Sequence, residues 1–202
     1  GTIRDNRRDG ALLGVIDRTV TAMGARLLAD WLANPLTDPE TIGKRSSAVE
    51  ELVADAALAD ALRERLREVY DLERLLARVT TGRASPRDLS SVCRTLRAMP
   101  AVKAKISSRR SVLINQLDER LDLCEDLRAE LERSLADDCP LSSRDGGFIR
   151  DGFSAELDGL RDLTSGGKQW IAAYQAEESK RAGIPSLKVG FNKVFGYYLE
   201  AT

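Results

Sequence analysis

Apolar residues recur every three or four positions through most of the chain, which is the period of an α-helix with one buried face. The clearest example spans about six turns, and its apolar residues are Leu58, Leu62, Leu66, Val69, Leu72, Leu76 and Val79. A second long helix is predicted from Leu113, Leu117, Leu121, Cys124, Leu127, Leu131 and Leu135. The pattern predicts a mainly α protein, a multi-helix bundle with long helices.

The period changes to two at the end of the chain, as expected for a β-hairpin. Leu187, Val189 and Phe191 would share one face of a strand. Tyr197 and Leu199 would share one face of its partner. Because two strands alone are marginal in water, the hairpin either packs on the helices or needs further strands.

Four residues can cap helices, because each has a short polar side chain and stands just before a helical stretch. They are Thr21, Asp38, Ser85 and Ser154. Pro39 and Pro86 follow two of them at the first helical position, which tolerates proline. Asp88 adds an acidic residue to the first turn after Ser85. Gly183 is expected to end the last helix.

The same pattern predicts which residues each helix groups together. The helix after Thr21 carries one apolar stripe, formed by Met23, Leu27, Leu28, Trp31 and Leu32. The buried face of the helix after Asp38 is expected to be Ile42, Val49, Leu52 and Val53. The helix after Ser85 should turn inward Leu89, Val92, Cys93, Leu96 and Met99. Pro100 is expected to stop that helix.

Three stretches interrupt the helical pattern. Residues 107–112 could form a loop or continue a helix. Residues 137–152 are polar and contain the Gly146-Gly147 pair, which predicts a connection. Gly166 and Gly167 lie in the middle of the last helix, where each costs about 1 kcal/mol relative to alanine. Either close approach of a neighbouring helix or a kink would explain that pair.

Composition narrows the possible functions. The 202 residues are 43% hydrophobic, enough for a folded core. Lys+Arg 31 against Asp+Glu 32 gives a net charge of −1, so nucleic-acid binding would require a local patch. The chain has no histidine, which excludes a conventional catalytic triad and argues against a zinc site. An enzyme is therefore the weakest interpretation.

The cysteines favour a reducing compartment. The three cysteines, Cys93, Cys124 and Cys139, form no CxxC motif. Cys93 and Cys124 fall on apolar helical faces, where buried reduced thiols are common. An odd cysteine number without a signal peptide is typical of intracellular proteins. No apolar run approaches the roughly 20 residues that span a bilayer. We expect a cytoplasmic protein without a membrane partner.

Two glycine-containing segments invite phosphate-binding interpretations. Gly166-Gly167-Lys168 ends like a phosphate loop, but Asp162 stands where the earlier glycine belongs and Gln169 where Ser or Thr should follow. This mismatch argues against an ATP site. Asp145-Gly146-Gly147 could form an anion-binding nest, although a turn between helices explains the same residues.

Several polar residues near the C-terminus could contact DNA phosphates. They are Lys188, Lys193, Asn192, Lys180 and Arg181. The alternative is that lysines protect an edge strand from pairing with other chains. From the residues alone, the second explanation is favoured.

Four segments indicate a protein family more specifically than hydrophobic periodicity can. They are DRTVTAMGARLLADWLANPL (17–36), DLERLLARV (71–79), RDGGFIRDGF (144–153) and LKVGFNKVFGYYLEAT (187–202). Together they resemble the MutS family of bacterial DNA mismatch repair proteins over nearly the whole chain. The family pattern FNxxxGYY is matched by Phe191, Asn192, Gly196, Tyr197 and Tyr198. By this resemblance we interpret these five residues as architecture of a clamp domain.

The resemblance implies a helical core with two long levers and a β-rich clamp inserted at their far end. It predicts four regions: 1–10, a flexible N-terminal arm; 11–153, helical core and incoming lever; 154–182, outgoing lever helix; 183–202, the start of the β clamp. The chain would then be a fragment of a longer protein. The hairpin would begin the clamp.

The resemblance implies that the full-length protein uses ATP and Mg and, as a homodimer, encloses duplex DNA that contains a mismatch. The segments that read the mismatch and hydrolyse ATP are expected to be absent from this chain, which by itself could be monomeric. Neither Phe191 nor Lys168 receives a family role in those activities. No catalytic, cofactor or metal site is expected here.

Two functions remain open from the sequence. In the first, the chain mechanically couples an ATPase domain, absent here, to a DNA-embracing clamp. In the second, it is a helical scaffold or protein-interaction module without a DNA role, which composition alone would favour.

Overall fold

The structure, a computed structural model, describes residues 12–194 and 196–201. The predicted arm at residues 1–10 lies outside the described residues. The described chain forms two compact units, one ending at Arg150 and one beginning at Asp151. We call them unit 1 and unit 2.

The regular elements in the described part of unit 1 are helices joined by loops. Its α-helices are α1 (Leu12–Ile16), α2 (Ala22–Ala33), α3 (Pro39–Ala54), α4 (Ala56–Leu66), α5 (Leu72–Thr80), α6 (Pro86–Ile106), α7 (Val112–Arg120) and α8 (Glu125–Ser134). Unit 2 contains the long helix α9 (Ala155–Ala182) and an antiparallel hairpin of β1 (Lys188–Asn192) and β2 (Gly196–Glu200). The predicted mainly α fold with a terminal hairpin is confirmed.

All four predicted N-caps are confirmed. In each, the side-chain oxygen accepts a hydrogen bond from the backbone N–H three residues later, and the N to O distances lie between 2.9 and 3.3 Å; the caps are Thr21, Asp38, Ser85 and Ser154. Asp88 returns a bond by accepting the backbone N–H of Ser85 at 2.8 Å, which completes a capping box. These helix starts are set by local sequence.

Helix α6 forms the centre of unit 1, and helices α4, α5, α7 and α8 pack against it. Its buried apolar residues are Val92, Cys93, Leu96, Ala98, Met99 and Val102. Pro100 does not stop the helix, so that prediction was wrong. Proline inside a helix costs about 3 kcal/mol. Burial of Met99 and Val102 on either side of it offsets this cost, because both pack against apolar residues of α4 and of the chain after α7.

The prediction of one continuous helix from Leu58 to Val79 was wrong, because α4 ends at Leu66 and α5 begins at Leu72. The break is held by Thr95 of α6, which is fully buried. Its Oγ1 accepts the backbone N–H of Tyr70 at 3.0 Å. Asp71 then caps α5. A contact with a distant helix and a local cap therefore both stabilise the break.

The predicted helix from Leu113 to Leu135 was also wrong, since α7 and α8 are separated by residues 121–124. Cys124 has a φ of 46°, a left-handed conformation that is uncommon outside glycine. Asp122 Oδ1 accepts the backbone N–H of Cys124 at 2.8 Å. Lys103 of α6 donates to the carbonyl of Leu121 at 3.1 Å and so satisfies the end of α7.

Two of the interruptions predicted from the sequence, at residues 107–112 and 137–152, are connections between helices. Residues 107–111 form a loop between α6 and α7, which resolves the alternative left open. The connection predicted at 137–152 is confirmed: it contains the short 3₁₀ turn Ser143–Asp145, and its end pairs back through a bridge between Leu135 and Ile149.

The predicted buried face of α3 was wrong. Ile42, Val49 and Val53 are 42%, 59% and 75% exposed, whereas the small residue Ala48 is buried. The α2 stripe also contains no buried residue. Small and polar residues hold these helices instead. Glu51 of α3, for example, accepts the backbone N–H groups of Arg110 at 3.1 Å and Ser111 at 2.7 Å.

Polar contacts position α2. Its Arg26 forms ion pairs with Asp71 at 2.6 Å and Glu73 at 2.5 Å, which raise the pKa of Arg26. The guanidinium of Arg45 lies 3.5 Å from the ring centre of Trp31, a cation–π contact.

The three cysteines form no disulfide. Cys93 and Cys139 are buried, and burial raises the pKa of both thiols. Cys124, which was expected to be buried, is only partly so and packs against the cluster around Leu96.

We expect Thr95→Val to lower the free energy of unfolding by about 1–3 kcal/mol, because the valine cannot accept the Tyr70 N–H. Urea denaturation measures this loss. Thr95→Ser keeps the hydroxyl and is the control, with a smaller loss expected. Equal losses for the two variants would show that the hydroxyl is not the cause.

Glu51 should make stability depend on pH. The N–H groups of Arg110 and Ser111 lower the pKa of Glu51 in the folded chain, so its stabilisation is full above the ordinary glutamate pKa of about 4.3 and is lost as pH falls through the lower folded value. Glu51→Gln should therefore lower the melting temperature at neutral pH, and the difference from the unmodified chain should shrink toward about pH 3.

The exposed Glu119 of α7 provides the control for this measurement. Glu119→Gln should change the melting temperature little at any pH. A Glu51→Gln difference that stays constant from neutral to acidic pH would contradict the proposed role of the carboxylate.

Candidate nucleic-acid interface

The candidate interface is the hairpin together with the end of α9. In the antiparallel register, Lys188 lies opposite Glu200, Val189 opposite Leu199 and Phe191 opposite Tyr197. Since side chains alternate along a strand, the hairpin has two faces. The apolar face carries Val189, Phe191, Tyr197 and Leu199. The mixed face carries Lys188, Gly190, Asn192, Gly196, Tyr198 and Glu200.

Asn192 and Gly196 shape the turn between the strands. Asn192 Oδ1 accepts the backbone N–H of Val194 at 2.7 Å, a short-range bond typical of asparagine in turns. Gly196 has a φ of 76°, which a residue with a side chain rarely adopts. Both residues thus act on the backbone of the turn. The side-chain oxygen of Asn192 is already engaged in this bond.

The aromatic residues of the FNxxxGYY pattern pack within the hairpin. The ring centres of Phe191 and Tyr197 are 5.0 Å apart across the strands. Tyr198 lies against Gly190, so that a Cβ added at Gly190 would be 2.6 Å from Tyr198 Cζ. Gly190 therefore leaves room for the tyrosine ring. Each of these contacts supports the hairpin itself.

The hairpin is joined to α9. Val189 donates its backbone N–H to Gln175 Oε1 of α9 at 3.0 Å. The predicted C-cap, Gly183, is confirmed, with a φ of 69°. Ser179 Oγ donates to the carbonyl of Ile184 at 2.8 Å, just beyond the helix end. These bonds fix the direction in which the chain leaves α9.

An open apolar groove of about 680 Å³ lies between α9 and the hairpin. It is lined by Gly167, Trp170, Ile171, Tyr174, Val189, Tyr197, Tyr198 and Leu199. The rings of Trp170 and Tyr174 are stacked, with centres 5.4 Å apart. We did not anticipate this pair from the sequence, although two aromatic residues four positions apart in a helix are a recognisable signal.

The cationic candidates do not form one patch. Lys188 and Lys193 are exposed, but Lys188 begins β1 whereas Lys193 lies in the turn beyond the other end of that strand. Neither forms an ion pair with another described residue, and Lys188 faces Glu200 across the strands. Lys180 and Arg181 occupy the last turn of α9.

Arg181 is less available than the lysines. It pairs with Glu178 at 2.6 Å, and this bond raises the pKa of Arg181. A phosphate would therefore have to compete with an existing partner for its guanidinium. Lys188 and Lys193 are the better candidates for phosphate contacts.

Unit 1 has an apolar groove of its own, with a volume of about 510 Å³ between α3 and α4. The apolar residues that line it are Val49, Leu52, Val53, Ala56, Ala59, Leu62 and Leu66. Asp60 and Arg63 pair at 3.1 Å on its edge. Three of the four residues predicted as the buried face of α3, Val49, Leu52 and Val53, thus line an open groove.

Within residues 12–194 and 196–201, no three His, Cys, Asp or Glu side chains are arranged as a metal site would need. Over the same residues, no helix is both long and apolar enough to cross a membrane.

Comparison with known proteins shows what kind of domain this fold represents. The family described as MutS domain III matches residues 1–188. The chain is 54% identical over 201 residues to the DNA mismatch repair protein MutS of Rhodopirellula baltica. Its identity to the proteins of that name from Halothermothrix orenii and Symbiobacterium thermophilum is 46% and 47%, again over 201 residues.

These alignments cover 100% of this chain but only 22–23% of each relative. The chain is therefore similar to one region of DNA mismatch repair proteins, described as MutS domain III. It belongs to the MutS family, as the four sequence segments predicted. It spans about a quarter of the length of these relatives.

We expect Gly190→Ala to open the hairpin, because the new Cβ would overlap the Tyr198 ring. Overpacking of this kind costs about 1–3 kcal/mol, which corresponds to a loss of protection of the β1 and β2 amides of about fivefold to 150-fold. Hydrogen exchange followed by NMR measures that loss.

The same substitution in a Tyr198→Thr background is the control, since the ring is then absent. Gly190→Ala should have little further effect in that background. If both backgrounds lose protection equally, contact with Tyr198 is not the reason for glycine at this position.

Proposed function

We propose that this chain is the core and lever part of a DNA mismatch repair protein, and that α9 transmits movement to a clamp that begins with the hairpin. The observation that carries the proposal is α9 itself. It has 28 residues and a length of about 42 Å. It leads directly into the hairpin, to which it is joined by a hydrogen bond.

The sequence of α9 favours a stable helix at both ends. Ser154 caps its first turn and Gly183 its last. Glu156 and Asp158 stand in the first turn, and Lys180 and Arg181 in the last, so the charges complement the helix dipole. A helix capped in this way resists fraying at both ends. Each end therefore moves with the residues that it contacts.

The hydrogen bond between α9 and β1 supports the transmission of movement from α9 to the hairpin. Gln175 accepts the Val189 N–H, so a displacement of the last turns of α9 carries the first strand with it. Lys188 and Lys193 would then bring positive charge to the phosphates of duplex DNA. Contacts of this kind position a protein on DNA without reading its sequence.

The remaining parts of the activity belong to other segments of a longer protein. ATP and Mg would bind there, and their occupancy would move α9. The mismatch would be read there as well. A second subunit would complete the ring around the duplex. The free cysteines are consistent with a cytoplasmic protein.

The test uses the longer protein that contains this chain and a fluorescent duplex with one mismatch. Anisotropy reports binding without nucleotide and release after ATP addition. Joint Lys188→Ala and Lys193→Ala substitutions should weaken binding and reduce the slope of log K against log salt by up to about two.

Ala173→Pro should preserve binding but reduce ATP-driven release, because proline inside a helix costs about 3 kcal/mol.

Each variant has a matched control. Lys168→Ala removes a lysine from the middle of α9 and should leave the salt slope unchanged. Ala155→Pro places proline at the first position of the same helix, where it is tolerated, and should leave ATP-driven release intact. Unchanged release with Ala173→Pro would rule out transmission through α9. An unchanged salt slope for the double lysine variant would favour a helical interaction module without this DNA contact.

A further inference from the structure

The middle of α9 concentrates four residues that weaken a helix. The run Thr164, Ser165, Gly166 and Gly167 is continuous. Each glycine lowers helix stability by about 1 kcal/mol relative to alanine, and serine and threonine lower it by roughly half as much. Alanine and long-chain residues are frequent in the rest of α9. The weakness is therefore local.

The two hydroxyl groups bond back onto the helix. Thr164 Oγ1 donates to the carbonyl of Leu160 at 2.8 Å, and Ser165 Oγ donates to the carbonyl of Asp162 at 3.1 Å. A hydroxyl in this position competes with the backbone N–H for the carbonyl, which slightly destabilises a helix and often bends it. The same segment thus contains two kinds of weakening.

Packing does not explain the two glycines. A Cβ added at Gly166 or Gly167 would meet no described atom within 4 Å, and neither glycine has a positive φ. Gly190 is different, because a Cβ there would strike Tyr198. Of the two explanations open from the sequence, close approach by a neighbouring helix is therefore not seen within the described chain.

Side-chain bonds anchor α9 on each side of this segment. On the N-terminal side, Asp158 accepts the backbone N–H of Gly152 at 2.8 Å, and Arg161 pairs with Asp151 at 2.7 Å. On the C-terminal side, Gln175 accepts the Val189 N–H. Each end of the helix has its own attachments, whereas the segment between them has the lowest intrinsic helix propensity.

We propose that Thr164–Gly167 is a hinge at which α9 bends, dividing it into a base half, residues 155–163, and a hairpin-bearing half, residues 168–182. The hinge is a property of α9 and does not rest on the DNA-related function. Its consequence is that the hairpin changes direction through small adjustments at four residues, while both halves remain helical.

Hydrogen exchange of the 202-residue chain tests the hinge without DNA or nucleotide. Amides 168–171 normally bond to the carbonyls of the hinge, so they should exchange faster than amides 159–163 of the base half and amides 172–182 of the hairpin-bearing half. Joint Gly166→Ala and Gly167→Ala substitutions should slow this exchange by about 30-fold, which corresponds to about 1 kcal/mol for each glycine.

Gly159→Ala is the matched control, because it is the same substitution in the same helix and its Cβ would also meet no atom within 4 Å. It should slow exchange close to residue 159 and leave amides 168–171 unchanged. If it slows them as much as the hinge variant does, α9 opens as one unit and the hinge is rejected.

Bending itself is measured by electron–electron resonance between spin labels attached through noncanonical residues at exposed positions 156 and 177, so that the three cysteines remain. These positions are about 32 Å apart in a straight helix. The unmodified chain should give a broad distance distribution, and the Gly166→Ala, Gly167→Ala chain a narrower one. Equal, narrow distributions in both chains would overturn the proposal.

Discussion

The packing of unit 1 depends on the burial of one helix, α6, among four others. Its inward residues form the core, and its one fully buried side chain, Thr95, has a polar group that needs a partner. The hydroxyl donates to the Ser91 carbonyl within α6 at 2.9 Å and accepts the Tyr70 N–H from outside its own helix. This bond joins the non-helical segment before α5 to α6. Burial and hydrogen bonding at α6 thus hold its neighbours in place.

Local features of this fold could be predicted from the sequence. Thr21, Asp38, Ser85 and Ser154 act within one turn of their own positions, and all four caps were found. The breaks at 67–71 and 121–124 were missed although Asp71 and Asp122 give local polar signals there, and contacts with α6 add to those signals. Apolar periodicity runs across both breaks, since the residues on either side face the same core.

The candidate site was predictable to a similar degree. The residue pattern located the hairpin and the family, because side-chain identities carry that information. It could not show that Gly190 makes room for Tyr198, since their contact follows from strand register. Nor could it show that Arg181 already has a partner in Glu178. Exposed residues such as Val53 were misassigned because apolar character alone does not reveal which surface a helix leaves open.

The placement of the aromatic side chains has a spectroscopic consequence. The chain contains two tryptophans, of which Trp31 lies in unit 1 beside a guanidinium and Trp170 in unit 2 on a tyrosine ring. Each unit thus has its own intrinsic fluorophore in a different chemical environment. Replacing either tryptophan with phenylalanine would leave an emission signal that follows the melting of a single unit within the intact chain.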